Sequence, residues 1–280
     1  MLEYIIRGLL SGTVYALLAL PMTLLFTTAA TVDFAIGAYA LLAAAVATEI
    51  AGPIGIAAGL LCAMLASGFM AVMFVLIKRT NGEGIRVALA SFGLSLAISS
   101  LVLIIWGTKP FARQTFTTVL EFGGFRLNPQ WLINVSIAGS LVIITWLVIY
   151  KTQLGRMMRA AAVNAQGAEL AAIPVIGVQC STLLAGGFLG GIAGLLLMHT
   201  SGLDFTASLG LTFIGFAAAI IFGIQSPLRC LAGGLGIGVI EALAAGYTTG
   251  MVTSMVPSFF MLLVLLTGQL GASRYSGDRP

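Results

Sequence analysis

Charge is what this chain has least of. Of its 280 residues only 13 are Lys or Arg and 9 are Asp or Glu, 8% together, where soluble domains carry roughly 25%. So few charges cannot cover a surface in water, which excludes a soluble globular fold. Histidine is nearly missing as well. His199 stands alone, with no second His and no Cys beside it, so a zinc or di-iron site has no ligand set. The many Ser and Thr have no convincing general base either, and His199 is read as a membrane-boundary residue. None of the three Lys ends a G-x-x-x-x-G-K-[ST] run, so the chain lacks the phosphate cradle of a P-loop ATPase. The three cysteines, Cys62, Cys180 and Cys230, lie far apart in apolar runs and are read as small core hydrophobes.

What is present is apolar. The mean hydropathy is +1.09, and runs near the ~20 residues that span a bilayer as helix recur along the sequence. Eight or nine candidates stand out, at residues 5–26, 34–51, 54–77, 87–106, 131–150, 178–198, 211–224, 230–245 and 252–266. The run at 211–224 is short and Gly-interrupted, which reads as re-entrant or broken. None alternates with period two, so a membrane β-barrel is excluded and helices remain. The expected fold is an all-α polytopic transmembrane bundle, one permease-type domain over residues 1–280. The first run is read as a retained span, since its apolar core is too long for a signal peptide and Pro21 interrupts it. The 35 Gly suit close helix approach, as in "GGFLGG" and "GGLGIG".

Basic residues concentrate in loops on the cytoplasmic side. Lys78, Arg79 and Arg86 in one loop, and Lys151, Arg156 and Arg159 in another, are separated by two spans and fall on one side, taken as inside. Residues 107–130 then form an extracytoplasmic loop despite Lys109, Arg113 and Arg126, and the N-terminus lies outside. Within that loop "FTTVLEFGGFRLNP" carries the Gly-Gly turn of a small hairpin. The net charge of +4 is a loop property and does not point to nucleic acid.

Polar residues inside apolar runs are candidates for function. Glu241 is costly in a span unless paired or facing the protein interior, and reads as a helix-to-helix hydrogen bond or a pathway residue. In "TTAATVDFAIG", Thr27, Thr28, Thr31 and Asp33 can cap the next helix, and Gly37 lets it break. Broken helices at mid-membrane offer N-terminal N–H groups suited to carboxylates, and a plain N-cap at Asp33 is the alternative. "TSGLDFTASLGLTFIG" repeats the pattern, Leu-Asp-Phe echoing Val-Asp-Phe, as in an internal repeat. Thr28, Asp33, Phe34, Tyr39, Asp204 and Phe213 around these two places are the candidate substrate-pathway residues. Glu49 is read as an interface residue.

One stretch is out of character: "LGRMMRAAAVNAQGAELAAIP", residues 154–174, follows some twenty apolar residues and leads into another apolar run. Gly155 can open a turn, residues 156–165 favour helix, and Gly167 and Pro174 limit it. Arg156 and Arg159 share a face beside the low-profile Ala160, Ala161 and Ala162, a surface that can dock in a partner's groove.

This stretch resembles the cytoplasmic coupling loop of permease subunits of ABC importers, and specifically the branched-chain amino-acid (high-affinity leucine-type) permease family. Gly155, Arg156, Arg159, Ala160, Ala168, Leu170 and Ile173 match that family's G-R-x-x-R-A and A-x-L-x-G-I pattern, with Ala172 in place of the usual Gly. Four further blocks agree in order. "LLSGTVYALLAL" resembles G-x-x-Y-A-L-x-A-L. "VDFAIGAYALL" resembles N-F-A-x-G, with Asp33 for Asn and with Ile36 and Ala38 where His and Glu are usual. "FGIQSPLRCLAGGLGIGVIEALAA" resembles G-G-I-G-S, then G-G, then E-A, and "LLTGQLG" resembles a block L-x-P-T-G-L-x-G without its Pro.

The resemblance implies one subunit of an importer in a bacterial inner membrane. A second, usually different permease subunit would complete the pathway. Two cytoplasmic ATPase subunits would bind ATP and Mg, this chain holding no cofactor, and an extracytoplasmic binding protein would deliver the substrate. Gly155, Arg156, Arg159, Ala160, Ala161, Ala162, Ala168 and Glu169 become the expected ATPase-coupling residues. The expected cargo is a small polar or amphipathic metabolite such as an amino acid, amide or urea-like compound. An ion-coupled secondary transporter or channel, with Glu241 as coupling site, is the rival reading, and a membrane enzyme is the third.

Overall fold

The computed structural model describes residues 2–50, 52–79, 84–113, 120–122, 125–127, 129–221, 227–247, 258, 259 and 262. In chain order the elements are α1 (Leu2–Ala29), α2 (Ile36–Glu49), α3 (Pro53–Arg79), α4 (Gly84–Trp106), β1 (Leu120–Phe122), β2 (Phe125–Leu127), α5 (Pro129–Lys151), α6 (Gln153–Val163), α7 (Ala165–Leu170), α8 (Val175–Met198), α9 (Ala207–Ile221) and α10 (Pro227–Tyr247). The strands pair antiparallel, Glu121 opposite Arg126, as the hairpin expected there.

Among the described residues six helices are long and apolar enough to cross a membrane: α1, α3, α4, α5, α8 and α10. The expected runs at 34–51 and 211–224 become the short helices α2 and α9, of 14 and 15 residues. At 1.5 Å per residue each is roughly 20 Å long, short of a ~30 Å hydrocarbon core. The candidate run at 252–266 lies outside the described residues except at 258, 259 and 262.

α1 and α8 form the interior. α3, α4 and α5 turn large apolar side chains such as Leu65, Ile104 and Ile143 outward, as a lipid-facing layer requires. Small residues set the interior spacing. α1 packs closely on α10 where Gly8 and Gly12 face Gly238 and Gly234, and a Cβ on Gly12 would come 2.6 Å from the Leu235 Cα. The same device joins α8 to α3, where a Cβ on Gly187 would collide with Ser67. Such contacts let backbones approach where dispersion, not water, holds helices together.

α2 and α9 begin against each other. The backbone of Gly37, in the first turn of α2, abuts the carbonyl of Ser208, in the first turn of α9. Ile36 lies beside Gly190, in the middle of α8, and from there α2 runs with α8 until Thr48 Oγ1 donates to Met198 Sδ at 3.1 Å. α9 runs the other way, its Ala218 against Gly233 near the start of α10. Two half-length helices therefore meet start to start in the body of the bundle and leave toward opposite ends.

The ends differ in charge. One gathers the C-termini of α3 and α5, the N-termini of α4, α8 and α10, and the α6–α7 segment, with Lys78, Arg79, Arg86, Lys151, Arg156, Arg159 and Arg229. The other holds the C-termini of α4 and α8, where Phe111 bridges Leu203 and the Arg113 N–H donates to the Met198 carbonyl at 3.1 Å. His199 closes α8 there, its Nδ1 2.8 Å from the Leu195 carbonyl.

Candidate functional site

Two places gather the residues singled out above. The first is the segment between α5 and α8. It forms two short helices rather than the single one expected, because Asn164 interrupts. The Asn164 side chain accepts from the Gly167 N–H at 3.0 Å and caps α7, the competition with helix typical of this residue. Gly167 therefore lies inside a helix instead of ending one. Gly155 also departs from expectation: it opens no turn but sits buried in the first turn of α6, pressed against the Val148 and Ile149 carbonyls, which leave no room for a Cβ. Thr152 caps α6 from the Gly155 N–H at 3.2 Å and donates to the Val148 carbonyl at 2.6 Å.

The two arginines divide. Arg156 is exposed, whereas Arg159 is half-buried and turns back, donating to the Ile149 carbonyl and lying 5.5 Å over the Tyr150 ring. The alanines do not form one outward surface either. Ala161 and Ala168 are buried on Val175, with Ala160 half-buried against them, and of the four alanines expected to couple Ala162 alone is exposed. Glu169 is exposed on α7.

Two side chains outside the expected coupling set project instead: Val163 is 89% exposed, and Leu170, noted above only as a motif match, 91%. Their signal was an apolar residue at each of two positions seven apart, in a stretch, residues 160–172, that is otherwise Ala, Gly and polar. The segment ends in a Schellman turn: the Ile173 N–H donates to the Ala168 carbonyl at 3.0 Å and Ala172 N–H to the Glu169 carbonyl at 2.9 Å. Ala172 takes the left-handed conformation there, φ +59°.

The second place is the junction where α2 and α9 start. Asp33 is 2% exposed and both its oxygens are engaged, Oδ1 by the Ala35 N–H at 2.8 Å and Oδ2 by the Tyr39 hydroxyl at 3.2 Å. The Phe34 N–H donates to Ser91 Oγ at 2.9 Å and the Gly37 N–H to Thr212 Oγ1 at 3.1 Å. Thr212 also donates to the Phe34 carbonyl at 3.1 Å, and Ser95 and Ser208 share a 3.0 Å hydrogen bond. The N–H groups of Phe34 and Ala35, just before α2, and of Gly37, in its first turn, are thus held by side chains from α4, the connecting segment and α9, where a carboxylate site was expected. Asp33 is not the N-cap of α2: Ala35 holds that position without a side-chain cap bond, and Asp33 instead closes a local turn to the Ala35 N–H just before the helix, while Tyr39 is fully buried.

Phe34 sits between Phe92 and Phe216, ring centroids 6.3 and 6.2 Å away. Phe92 is 37% exposed, so this aromatic group reaches the outside of the chain. Phe92, Phe216 and the four hydroxyls escaped sequence reasoning because they come from α4 and α9, remote in sequence from Phe34.

The remaining candidates scatter. Thr28 bonds within α1 through its hydroxyl, and its carbonyl accepts from Gln179 Nε2 at 2.8 Å. Asp204 is exposed, and its Oδ1 accepts from the Thr206 N–H at 3.0 Å and hydroxyl at 2.7 Å. Phe213 is half-buried on α9. Glu241 pairs with the Tyr15 hydroxyl across α1 and α10, while its Oε2 is buried with no hydrogen-bond partner among the described residues.

The family model described as "Branched-chain amino acid transport system / permease component" matches residues 4–266. The chain is 26% identical to the high-affinity branched-chain amino acid transport system permease protein LivH of Escherichia coli (strain K12), covering 96% of this chain and 95% of that protein. The permease protein BraD of the corresponding system of Pseudomonas aeruginosa shows the same identity and coverage. The nucleoside ABC transporter permease protein NupC of Lactococcus lactis is 30% identical, but over only 45% of this chain. No solved structure matches. With a match running from α1 to beyond α10, the chain belongs to the branched-chain amino acid transport system permease family, as a multi-pass transport subunit of the ABC type.

Proposed function

We propose that this chain supplies half of the transmembrane pathway of an importer for a small amphipathic metabolite, with an amino acid as the preferred class. The observation that carries the proposal is the start-to-start meeting of α2 and α9. Helix N-termini carry partial positive charge, and discontinuous membrane helices present such ends to anionic substrate groups near the midplane. Here both ends converge beside Ser91, Ser95, Ser208 and Thr212, next to the Phe34, Phe92 and Phe216 rings. A carboxylate joined to an apolar side chain matches donors on one side and aromatic faces on the other. In the closed form the hydroxyls occupy the donors; substrate exchanges with them as the junction opens. The names of the relatives covering nearly the whole chain favour an amino acid, and the nucleoside permease matches under half of it.

Because Phe92 reaches the outside of the chain, a second permease subunit, a heterodimer partner by the family resemblance, would close the other wall. Two ATPase chains, binding ATP and Mg, would dock on α6–α7, the coupling segment within residues 154–174. The binding protein would dock at the opposite end, with residues 107–130. The positive-inside rule supports this orientation, since the α6–α7 end carries most of the described basic residues.

An inverted repeat fits the same geometry. α1–α2–α3 packs reciprocally with α8–α9–α10, α1 on α10 and α8 on α3. Asp33 and Asp204 each accept from the N–H two residues on, and α2 and α9 each begin three residues after them. Gly37 and Ser208, which touch, hold equivalent places after those aspartates, as residues on a two-fold axis do. The run at 252–266 would add a further span.

Uptake in vesicles holding the whole importer tests the proposal. Amino-acid uptake should require ATP and the ATPase chains. Concentrative uptake by this chain alone, driven by a proton or sodium gradient, would overturn it.

A further inference from the structure

A cavity of about 580 Å³ opens between the last turns of α1, the end of α5 and the outer side of α6. Leu24, Phe26, Ile149 and Met158 make apolar walls, and Thr27 and Tyr150 contribute hydroxyls. Among the described residues Arg159 is its only charged lining residue. One Arg159 N–H is committed to the Ile149 carbonyl, and a guanidinium carries five donors in a fork suited to phosphate.

The cavity's depth in the membrane is marked by the Trp146 and Tyr150 rings, 5.5 Å apart on the last turns of α5. Such amphipathic aromatics sit at headgroup level. Lys151 follows immediately, at the basic end of the bundle. A site with one cation, no carboxylate, hydroxyls and greasy walls, set at headgroup level, suits a molecule that is anionic at one end and apolar at the other. A substrate would have to reach this place from the junction of α2 and α9; a lipid of the inner leaflet is already beside it, and that leaflet is negatively charged.

We infer that this cavity binds the headgroup and upper acyl chain of an anionic phospholipid of the inner leaflet, with Arg159 on the phosphate. The inference goes beyond the transport reading and rests only on the α6–α7 end facing inward. It also implies that lipid steadies the corner through which α6 meets α5 and α1.

The test uses the purified full chain in nondenaturing mass spectrometry, with phosphatidylglycerol and phosphatidylcholine offered in equal amounts. The parental chain should retain phosphatidylglycerol in preference by about fivefold, the effect of one basic residue near a lipid surface. Thr27→Trp, which fills the cavity from α1, and Arg159→Gln should each bring the preference close to one. Arg156→Gln, an exposed charge outside the cavity, should keep it. Size-exclusion profiles confirm folding, and either cavity variant suffices if the other fails to fold. The inference is overturned if the cavity variants keep the parental preference, or if Arg156→Gln abolishes it equally, which would mean general surface charge. It is also overturned if millimolar inorganic phosphate displaces the lipid, which would make this a phosphate site. Transport and ATPase activity do not enter the measurement, so its failure is separable from failure of the transport reading.

Discussion

Arg159 on α6 reaches back to donate a hydrogen bond to the carbonyl of Ile149, in the last turn of α5, and its guanidinium covers the ring of Tyr150. With Gly155 seated on the Val148 and Ile149 carbonyls and Thr152 bonded both ways, α5 and α6 form one stiff corner. If the ATPase chains act on α6, as proposed, such a corner would carry a push on to α5 instead of absorbing it in a loop. The expected effect of Arg159→Ala is loss of about 1–2 kcal/mol from this corner, a charged hydrogen bond and a ring contact discounted for partial exposure. ATPase association should persist while ATP hydrolysed per substrate imported rises. Arg159→Lys should not rescue, since an ammonium lacks the planar fork. Loss of ATPase binding in pull-down assays would make Arg159 a docking residue instead.

Val163 and Leu170 are the outward apolar side chains of the same segment. Buried in an interface, each would be worth about 1–2 kcal/mol, so Val163→Asp or Leu170→Asp should weaken ATPase association by about tenfold or more. Membrane insertion should be unchanged. Parental association of both variants would remove this face from the interface.

Ala172 adopts φ +59° at the Schellman position where glycine is the usual residue. A left-handed Ala costs about 1–2 kcal/mol, and glycine gives back part of this through greater freedom of the unfolded chain. Ala172→Gly should therefore stabilise the protein by roughly 0.5–1 kcal/mol, read as a thermal midpoint about 2 °C higher. A lower midpoint would mean the turn is held by contacts of the Ala172 methyl.

Glu241 pairs with the Tyr15 hydroxyl, and its Oε2 has no hydrogen-bond partner among the described residues. Glu241→Gln keeps a side-chain acceptor for Tyr15 and should preserve assembly and transport. Glu241→Ala and Tyr15→Phe each delete the bond and should cost about 0.6 kcal/mol, the average for membrane hydrogen bonds. Transport abolished by Glu241→Gln in an intact complex would assign Glu241 a proton-linked role.

Much of the architecture was legible in the residues themselves. Lipid imposes one rule, that backbone groups pair internally, so apolar runs of sufficient length must be helices. The two Asp-Phe breaks were visible because Asp and Thr compete locally for backbone donors, and the basic residues expected to share one side do gather at the α6–α7 end. The segment between α5 and α8 stood out in the sequence through Gly155, Arg156 and Arg159, yet the direction each side chain takes was not legible. A helical pattern places Arg156 and Arg159 on neighbouring positions, but whether a guanidinium faces outward depends on the carbonyl and ring that α5 happens to present.

The junction of α2 and α9 shows the same division more sharply. Val-Asp-Phe and Leu-Asp-Phe each mark a break where local hydrogen bonding favours a helix start, so the sequence by itself determined that there are two breaks, although the second run was expected from 211 and α9 begins at Ala207. That these starts touch, that Thr212 and Ser91 satisfy the donors at Phe34 and Gly37, and that Phe92 and Phe216 flank Phe34 are contacts between elements far apart in the chain. Small residues allow helices to approach closely on several faces at once. Only the packing of all of them together selects which hydroxyls and which rings meet.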